Sequence, residues 1–224
     1  MMLAYCDLLI FDCDGVLVDS EQLAFAAFVD VLNRAGVPAT TAMVADCFGM
    51  KQADVLQKIA QATHMDIPDG VTEALWPATR RAFERDLQPT QGVKAFLDRL
   101  DGVKRCVASS SNPERIRLSL ELTGLAGYFD EAVFSSHQVA RGKPAPDIFL
   151  YAARKMEVAP DRCIVIEDSV FGAEGGAAAG MRVIGYVGGS HIPSGHAAGL
   201  LAAGAASVEA TWSDVAQRIG LGMR

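Results

Sequence analysis

Short apolar runs that stop abruptly at a polar residue or a glycine recur along the chain. Leu8-Leu9-Ile10-Phe11 ends at Asp12 and then Gly15, as a strand buried on both faces does when it gives way to a turn. Arg105-Cys106-Val107-Ala108, Ile164-Val165-Ile166 and Arg182-Val183-Ile184-Gly185-Tyr186 repeat the pattern, and Ala132-Val133-Phe134 is a weaker instance. Between these runs the apolar period becomes helical. Residues 113–123 place Ile116 and Leu120 on one face, with Asn112 as N-cap, Pro113 at the first helical position and Gly124 just past the end. Residues 147–156 and 171–179 also read as helices, so strand and helix alternate through the second half. That alternation predicts an α/β fold built on a doubly wound, mostly parallel sheet.

From about Glu21 to Leu87 the rhythm breaks, because helical patterns follow one another with no buried strand between them. Leu23, Ala27, Phe28, Val31 and Leu32 form one stripe that ends at Gly36, Val55, Leu56 and Ile59 form a second, and a third pattern precedes Leu87 with Pro77 marking its start or a kink. An inserted helical subdomain is the simplest reading. The Gly- and Ala-rich stretch 172–180 lacks the GxGxxG order of a dinucleotide loop and reads as a helix packed closely on the sheet.

At 224 residues, half of them hydrophobic and 21% charged, the chain suits one folded core carrying a smaller insert. The formal net charge of −7 supplies no basic field for a nucleic acid, although local cations and a metal can still bind a small phosphate ester. Cys6, Cys13, Cys47, Cys106 and Cys163 are scattered, with no zinc or disulfide spacing, and read as small apolar residues in a reducing cytoplasm. Asp7, Asp12 and Asp14 interrupt the N-terminal apolar stretch, so neither a signal peptide nor a membrane span is expected.

Four motifs carry candidate chemistry. Asp12-Cys13-Asp14-Gly15 sets two carboxylates where a buried strand becomes a loop, the edge at which open α/β sheets bind ligands. One carboxylate can attack phosphorus while the other moves protons, and taken alone the pair serves equally well as a loop cap. Glu167-Asp168 ends another strand at the same edge. Carboxylates converging there call for a hard cation, and oxygen ligands with positions left for water and phosphate suit Mg²⁺; a dipole-stabilised acidic pair at a helix start is the plainer alternative. Ser109-Ser110-Ser111-Asn112 joins a strand to a helix N-terminus, where hydroxyls and N–H groups can hold an anion or form an ordinary turn. Lys143, in Gly142-Lys143-Pro144-Ala145-Pro146-Asp147, is a cation whose direction two prolines restrict.

With these motifs in this order, the chain resembles the haloacid dehalogenase superfamily, and within it the phosphatases and phosphomutases related to β-phosphoglucomutase. The segments that carry the likeness are 11–21, 107–112, 142–147 and 166–169. The resemblance implies a Rossmann-like core, residues 1–19 and 88–224, with a helical cap at 20–87. It implies Asp12 as nucleophile, Asp14 as general acid and base, Ser109 and Lys143 on phosphoryl oxygens with Ser110, Ser111 and Asn112 beside them, and Mg²⁺ held by the Asp12 carboxylate, the Asp14 carbonyl and Asp168, with Glu167 a further ligand or a partner of one. The second aspartate, Asp14, disfavours dehalogenation, since the dehalogenases lack it.

The mutase pattern is incomplete. β-Phosphoglucomutases place a histidine in the first cap helix, where this chain has Ala24, and basic residues around a cap glycine, where Phe48 and Gln52 flank Gly49. The expected activity is therefore a Mg²⁺-dependent phosphatase acting on a small phosphorylated metabolite through an aspartyl-phosphate, with a phosphomutase and a non-catalytic sugar-phosphate sensor as alternatives. The opening motif also looks like bacterial sugar-phosphate hydrolases, 6-phosphogluconate phosphatases among them. Lys51, Arg80, Arg81 and Arg85 are cap cations that either reach an anionic substrate or form a solvated face. His191 and His196, in a Gly-rich loop, are assigned to the surface. A cytoplasmic monomer or small homo-oligomer is expected.

Overall fold

The computed structural model describes residues 6–45, 47, 52–100 and 102–221. Within them six strands, β1 (Leu8–Phe11), β2 (Lys104–Ser109), β3 (Val133–Ser135), β4 (Cys163–Glu167), β5 (Arg182–Tyr186) and β6 (Ser207–Glu209), form one sheet in the order β3-β2-β1-β4-β5-β6. Every pairing is parallel. The helices are α1 (Glu21–Arg34), α2 (Thr41–Ala45), α3 (Gln52–Thr63), α4 (Val71–Asp86), α5 (Val93–Leu97), α6 (Pro113–Leu122), α7 (Asp147–Lys155), α8 (Val170–Ala178), α9 (His196–Ala202) and α10 (Trp212–Arg218). The chain divides into two compact units, Met1–Asp19 with Gln88–Arg224, and Ser20–Leu87.

In the larger unit β1 is central, and its four residues are fully buried. Leu8 and Ile10 face a core that includes Ile148, Phe149 and Ala152 of α7. On the opposite face Phe11 meets Phe96, Phe129 and Trp212, with ring centroids 6.2, 5.8 and 6.0 Å away. Burial on both sides is what the unbroken apolar run requires. The strand order reverses direction between β1 and β4, so the loops leaving their carboxyl ends part and open a crevice.

The strand expected at 132–134 lies one residue later, at Val133–Ser135, and the helix expected at 171–179 is α8, one residue earlier. Asn112 caps α6 as its sequence suggests, accepting from the Arg115 N–H at 2.8 Å. Close packing of α8 on the sheet is visible at Gly176, where a Cβ would stand 2.8 Å from a Val183 methyl. The short strand β6 and the helices α5, α9 and α10 have no counterpart in the apolar pattern.

In the smaller unit α1 packs along α4 around Phe25, Leu32, Val55, Leu56, Ile59, Val71 and Leu75. The stripe expected on α1 turns inward as far as Ala27 and Leu32, which are buried, and Phe28 and Val31, which are half-buried against the core; Leu23 is half-buried, and Phe25, outside the stripe, is buried as well. Pro77 lies within α4, so it does not start that helix. Arg80 pairs with Glu84 and Arg85 with Asp86 on exposed surface, and Arg81 is exposed. Phe48, Gly49 and Lys51 fall outside the described residues. All five cysteines are free and buried, and among the described residues no helix is long and apolar enough to cross a membrane.

A polar link crosses the aromatic side of the larger core. The Trp212 indole N–H donates to Thr90 Oγ1 at 2.9 Å, and that hydroxyl donates to the Val16 carbonyl at 2.6 Å. The Thr90 N–H donates to the next carbonyl, Leu17, at 3.0 Å. This pins the turn that follows Asp12 and Asp14 to α10. Thr90→Val keeps the side-chain shape and deletes the hydroxyl, stranding a buried donor and a buried acceptor. The expected cost is about 1–3 kcal/mol of unfolding free energy, read as a lower urea midpoint at unchanged m-value; an unchanged midpoint would show that the bridge contributes nothing.

Candidate active site

Three adjacent strands deliver the polar residues to one edge. Phe11 of β1 is in register with Val107 of β2 and Ile166 of β4, so Asp12 emerges beside Ala108-Ser109 on one side and Glu167-Asp168 on the other. The Asp12 N–H donates to the Ile166 carbonyl at 3.0 Å, which holds the loop to the strand end.

Lys143 reaches into this cluster from the loop before α7, and its side chain is only 4% exposed. Its ammonium donates to Asp12 Oδ1 at 2.6 Å and to Glu167 Oε1 at 2.5 Å, and it stands 5.1 Å from the centre of the Phe149 ring. Burial alone would push the ammonium pKa down, but Asp12 and Glu167 outweigh it and hold it above its usual value. Burial pushes the Asp12 carboxyl well above the ordinary carboxylate range; Lys143 opposes this, and the charges of Glu167, Asp168 and Asp14 add to it. Cys13, between the two aspartates, is fully buried, and its thiol is held above its usual pKa first by burial and then by those neighbours.

Asp14 has its own partners. Arg115 donates to its Oδ1 through Nη2 at 2.7 Å and through Nε at 3.2 Å, while the Ser111 hydroxyl donates to Oδ2 at 2.6 Å. Ser109 is buried and accepts from the Ser111 N–H at 3.1 Å, and the Ser135 hydroxyl donates to the Ser111 carbonyl at 2.7 Å. Ser110 is exposed, and Asn112 is occupied as the α6 cap. Of the Ser-rich turn, Ser111 touches a catalytic candidate directly and Ser109 shapes the loop behind it.

Glu167 uses both oxygens on protein donors. Beyond Lys143 at Oε1, its Oε2 accepts from the Ser169 N–H at 2.8 Å and the Ser169 hydroxyl at 3.0 Å. Gly172 makes the room, since a Cβ there would fall 1.8 Å from Glu167 Oε1. Glu167, for which the sequence leaves open a place on a metal or behind one, pairs with Lys143 through one oxygen and with Ser169 through the other. Asp168 is 2% exposed; its Oδ2 lies 3.1 Å from His191 Nε2, and its carbonyl accepts from His196 Nε2 at 2.6 Å.

Four carboxylates thus share one buried edge with two permanent cations, Lys143 and Arg115. Among the described residues no three His, Cys, Asp or Glu side chains converge as a closed ligand set. A donor set of the Asp12 and Asp168 carboxylates plus a backbone carbonyl is nonetheless what Mg²⁺ takes, because it binds through one or two carboxylates and keeps positions for water and phosphate. The excess of buried negative charge and the hard oxygen donors fit such an ion.

Arg115, His191 and His196 lie outside the four motifs, and the Gly-rich setting of the two histidines points to the surface. The His191 side chain is instead 1% exposed against Asp168, and His196 holds that residue's backbone. Arg115 had a legible signal: it is a cation in the first turn of α6, where the helix dipole disfavours positive charge unless a carboxylate faces it. The histidines follow the carboxyl end of β5, on the same edge of the sheet as Asp12 and Glu167.

A model of the family described as haloacid dehalogenase-like hydrolase matches residues 6–180. The 6-phosphogluconate phosphatase of Escherichia coli (strain K12) is 30% identical over 175 residues, covering 77% of this chain and 79% of the relative. A phosphorylated carbohydrates phosphatase of Thermotoga maritima is 32% identical over 182 residues, covering 80% of this chain and 84% of that one. Among solved structures, a conserved haloacid dehalogenase-like protein of Agrobacterium tumefaciens superposes with a TM-score of 0.86 at 38% identity, over 96% of this chain and 98% of that one. A family match running from the first strand past α8, over more than half of the chain, means that the chain belongs to the haloacid dehalogenase-like hydrolases.

Proposed function

We propose that this hydrolase is a Mg²⁺-dependent phosphatase that cleaves the monoester of a small phosphorylated carbohydrate, a sugar or sugar-acid phosphate, through an aspartyl-phosphate on Asp12. The observation that carries the reading is the division of labour between two aspartates two residues apart: Asp12 faces the buried ammonium of Lys143, while Asp14 is turned to a different cation and a hydroxyl. The substrate class rests on the two phosphatases above, both of which act on phosphorylated carbohydrates by name.

In this mechanism an Asp12 oxygen attacks phosphorus in line, the bond to the leaving oxygen breaks, and Asp14 delivers a proton to the departing alkoxide. Water then attacks phosphorus, Asp14 takes its proton, and the Asp12–phosphorus bond breaks. Lys143 balances charge on the nucleophile and the transferring group, with the Ser109 turn beside it. Arg115 and Ser111 fix the direction of the Asp14 carboxylate. The carboxylates of Asp12 and Asp168 and the Asp14 carbonyl would hold Mg²⁺, which would supply positive charge to the transferring phosphoryl group. Residues 20–87 act as the cap that selects the leaving group, and the enzyme works in the cytoplasm.

Phosphate release from a panel of sugar phosphates, sugar-acid phosphates, phosphoglycolate and nucleotides, with Mg²⁺ and with a chelator, tests the reading. Release from the carbohydrate esters that the chelator abolishes is expected. An isomerised sugar phosphate without free phosphate would make the chain a mutase, and folded protein that turns over nothing would make it a binding module. Asp12→Asn should lower kcat by roughly 10³-fold or more with the fold intact, and near-normal turnover would sink the covalent step.

Arg115→Leu should lower kcat by up to about 100-fold through misdirection of Asp14, with little change in KM. Arg115→Lys should recover part of that loss. A Leu variant with unchanged kcat would remove Arg115 from the site.

A further inference from the structure

The loop between β5 and α9, with the first residue of α9, touches Asp19 once and Asp168 twice, through side chains to which the reaction outlined above gives no role. Ser190 donates to Asp19 Oδ1 from its N–H at 3.1 Å and from its hydroxyl at 2.9 Å. His191 Nε2 lies 3.1 Å from Asp168 Oδ2. His196 Nε2 meets the carbonyl of the same Asp168 at 2.6 Å, and because a carbonyl only accepts, that nitrogen carries the proton. The end of this loop and the first residue of α9 therefore meet one aspartate twice, His196 by a hydrogen bond to its backbone and His191 by a buried 3.1 Å approach to its carboxylate that is not aligned as a hydrogen bond.

Space is reserved for this contact. A Cβ at Gly15 would stand 1.8 Å from Asp168 Oδ2 and 2.7 Å from His191 Cε1, and a Cβ at Gly189 would stand 2.8 Å from the same ring carbon. The imidazole thus lies between two backbone segments that lack side chains, and its side chain is 1% exposed. A ring so confined has little freedom to turn, and it limits in turn where the Asp168 carboxylate beside it can go. A loop serving only to connect β5 to α9 would need neither this fit nor two imidazoles aimed at one residue.

We propose that His191 and His196 are positioning residues for Asp168, fixing its carboxylate and its carbonyl so that the carboxylate is presented to Mg²⁺. The assignment rests on the metal reading given above. It is the role of a partner behind a ligand: neither imidazole is placed to touch substrate, and both act by restricting the geometry of a group that does the binding. Losing such a partner weakens the metal site without removing any ligand from it.

The test is a calorimetric titration of the phosphate-free protein with Mg²⁺, alongside the Mg²⁺ activation constant for turnover, in His191→Leu, His191→Gln, His196→Leu and His196→Gln. Each Leu variant should weaken Mg²⁺ binding by about tenfold or more, with kcat at saturating Mg²⁺ within about twofold of wild type. Each Gln variant, which keeps an N–H near the position of Nε2, should recover most of the affinity. Thermal melting in chelator reports whether each variant folds. Should His191→Leu fail to fold, His196, which is half-buried, carries the same test. Wild-type protein that takes up no Mg²⁺ would overturn the metal reading and this assignment together. Wild-type uptake matched by all folded variants would overturn this assignment alone, and a fall in kcat at saturating Mg²⁺ with unchanged affinity would do the same.

Discussion

The ammonium of Lys143, enclosed between Asp12 and Glu167, is the interaction on which the polar edge of the sheet depends. Taking an ammonium and two carboxylates out of water costs several kcal/mol per ion unless each charge finds close partners, and here the distances are 2.6 and 2.5 Å. Removing Lys143 would leave two buried carboxylates facing each other with no cation between them, so its ammonium fixes both. The constraint then spreads. Glu167 gives its remaining oxygen to Ser169, whose hydroxyl in turn accepts from the Gly172 N–H and caps α8. The loop after β1, the loop before α7, the end of β4 and the start of α8 are thereby joined through one cation.

The sheet makes that convergence possible without itself being polar. Parallel strands bring their carboxyl ends to one edge, and the reversal of order beside β1 leaves a crevice there rather than a covering helix connection. On β1 the polar residues begin one position past the last pair, while on β2 and β4 they begin at the last paired positions, Ser109 and Glu167, so the apolar interior ends at the carboxyl edge. Phe11 is fully buried, and Asp12, the next residue, meets Lys143. The aromatic group around Trp212 and the hydroxyl of Thr90 hold the turn that follows, so the two aspartates are fixed from both sides of the chain.

Much of this was legible in the sequence because it rests on local rules. The buried strands announce themselves as unbroken apolar runs, α6 by its Asn112 cap and Pro113, and the carboxylates by their place at the ends of those runs. What was not legible is mostly tertiary. β6 is three half-buried residues at a sheet edge, too short and too mixed to show a period. The inner face of α1 includes Phe25, which a stripe drawn through Leu23 and Phe28 missed, because the packing of α4 and not the period of α1 alone decides which face turns inward. The histidines lie in a glycine-rich stretch that looks like ordinary surface loop, and only the close approach at Gly15 and Gly189 shows that the glycines are there to admit a ring.

The supports of the edge are partitioned. Lys143 serves Asp12 and Glu167, Arg115 with Ser111 serves Asp14, and the β5–α9 loop serves Asp168. Carboxylates this close repel, and a single shared cation would make the protonation of one depend on the state of all the others. Separate partners loosen that dependence. In the mechanism proposed here Asp14 must gain and lose a proton in every turnover while Asp12 stays available to phosphorus, and the two demands are compatible only if changing the charge on Asp14 does not release the ammonium held at Asp12. Placing Arg115 on α6, against the preference of the helix dipole, is the structural cost of that independence, and the Asp14 carboxylate is what offsets it.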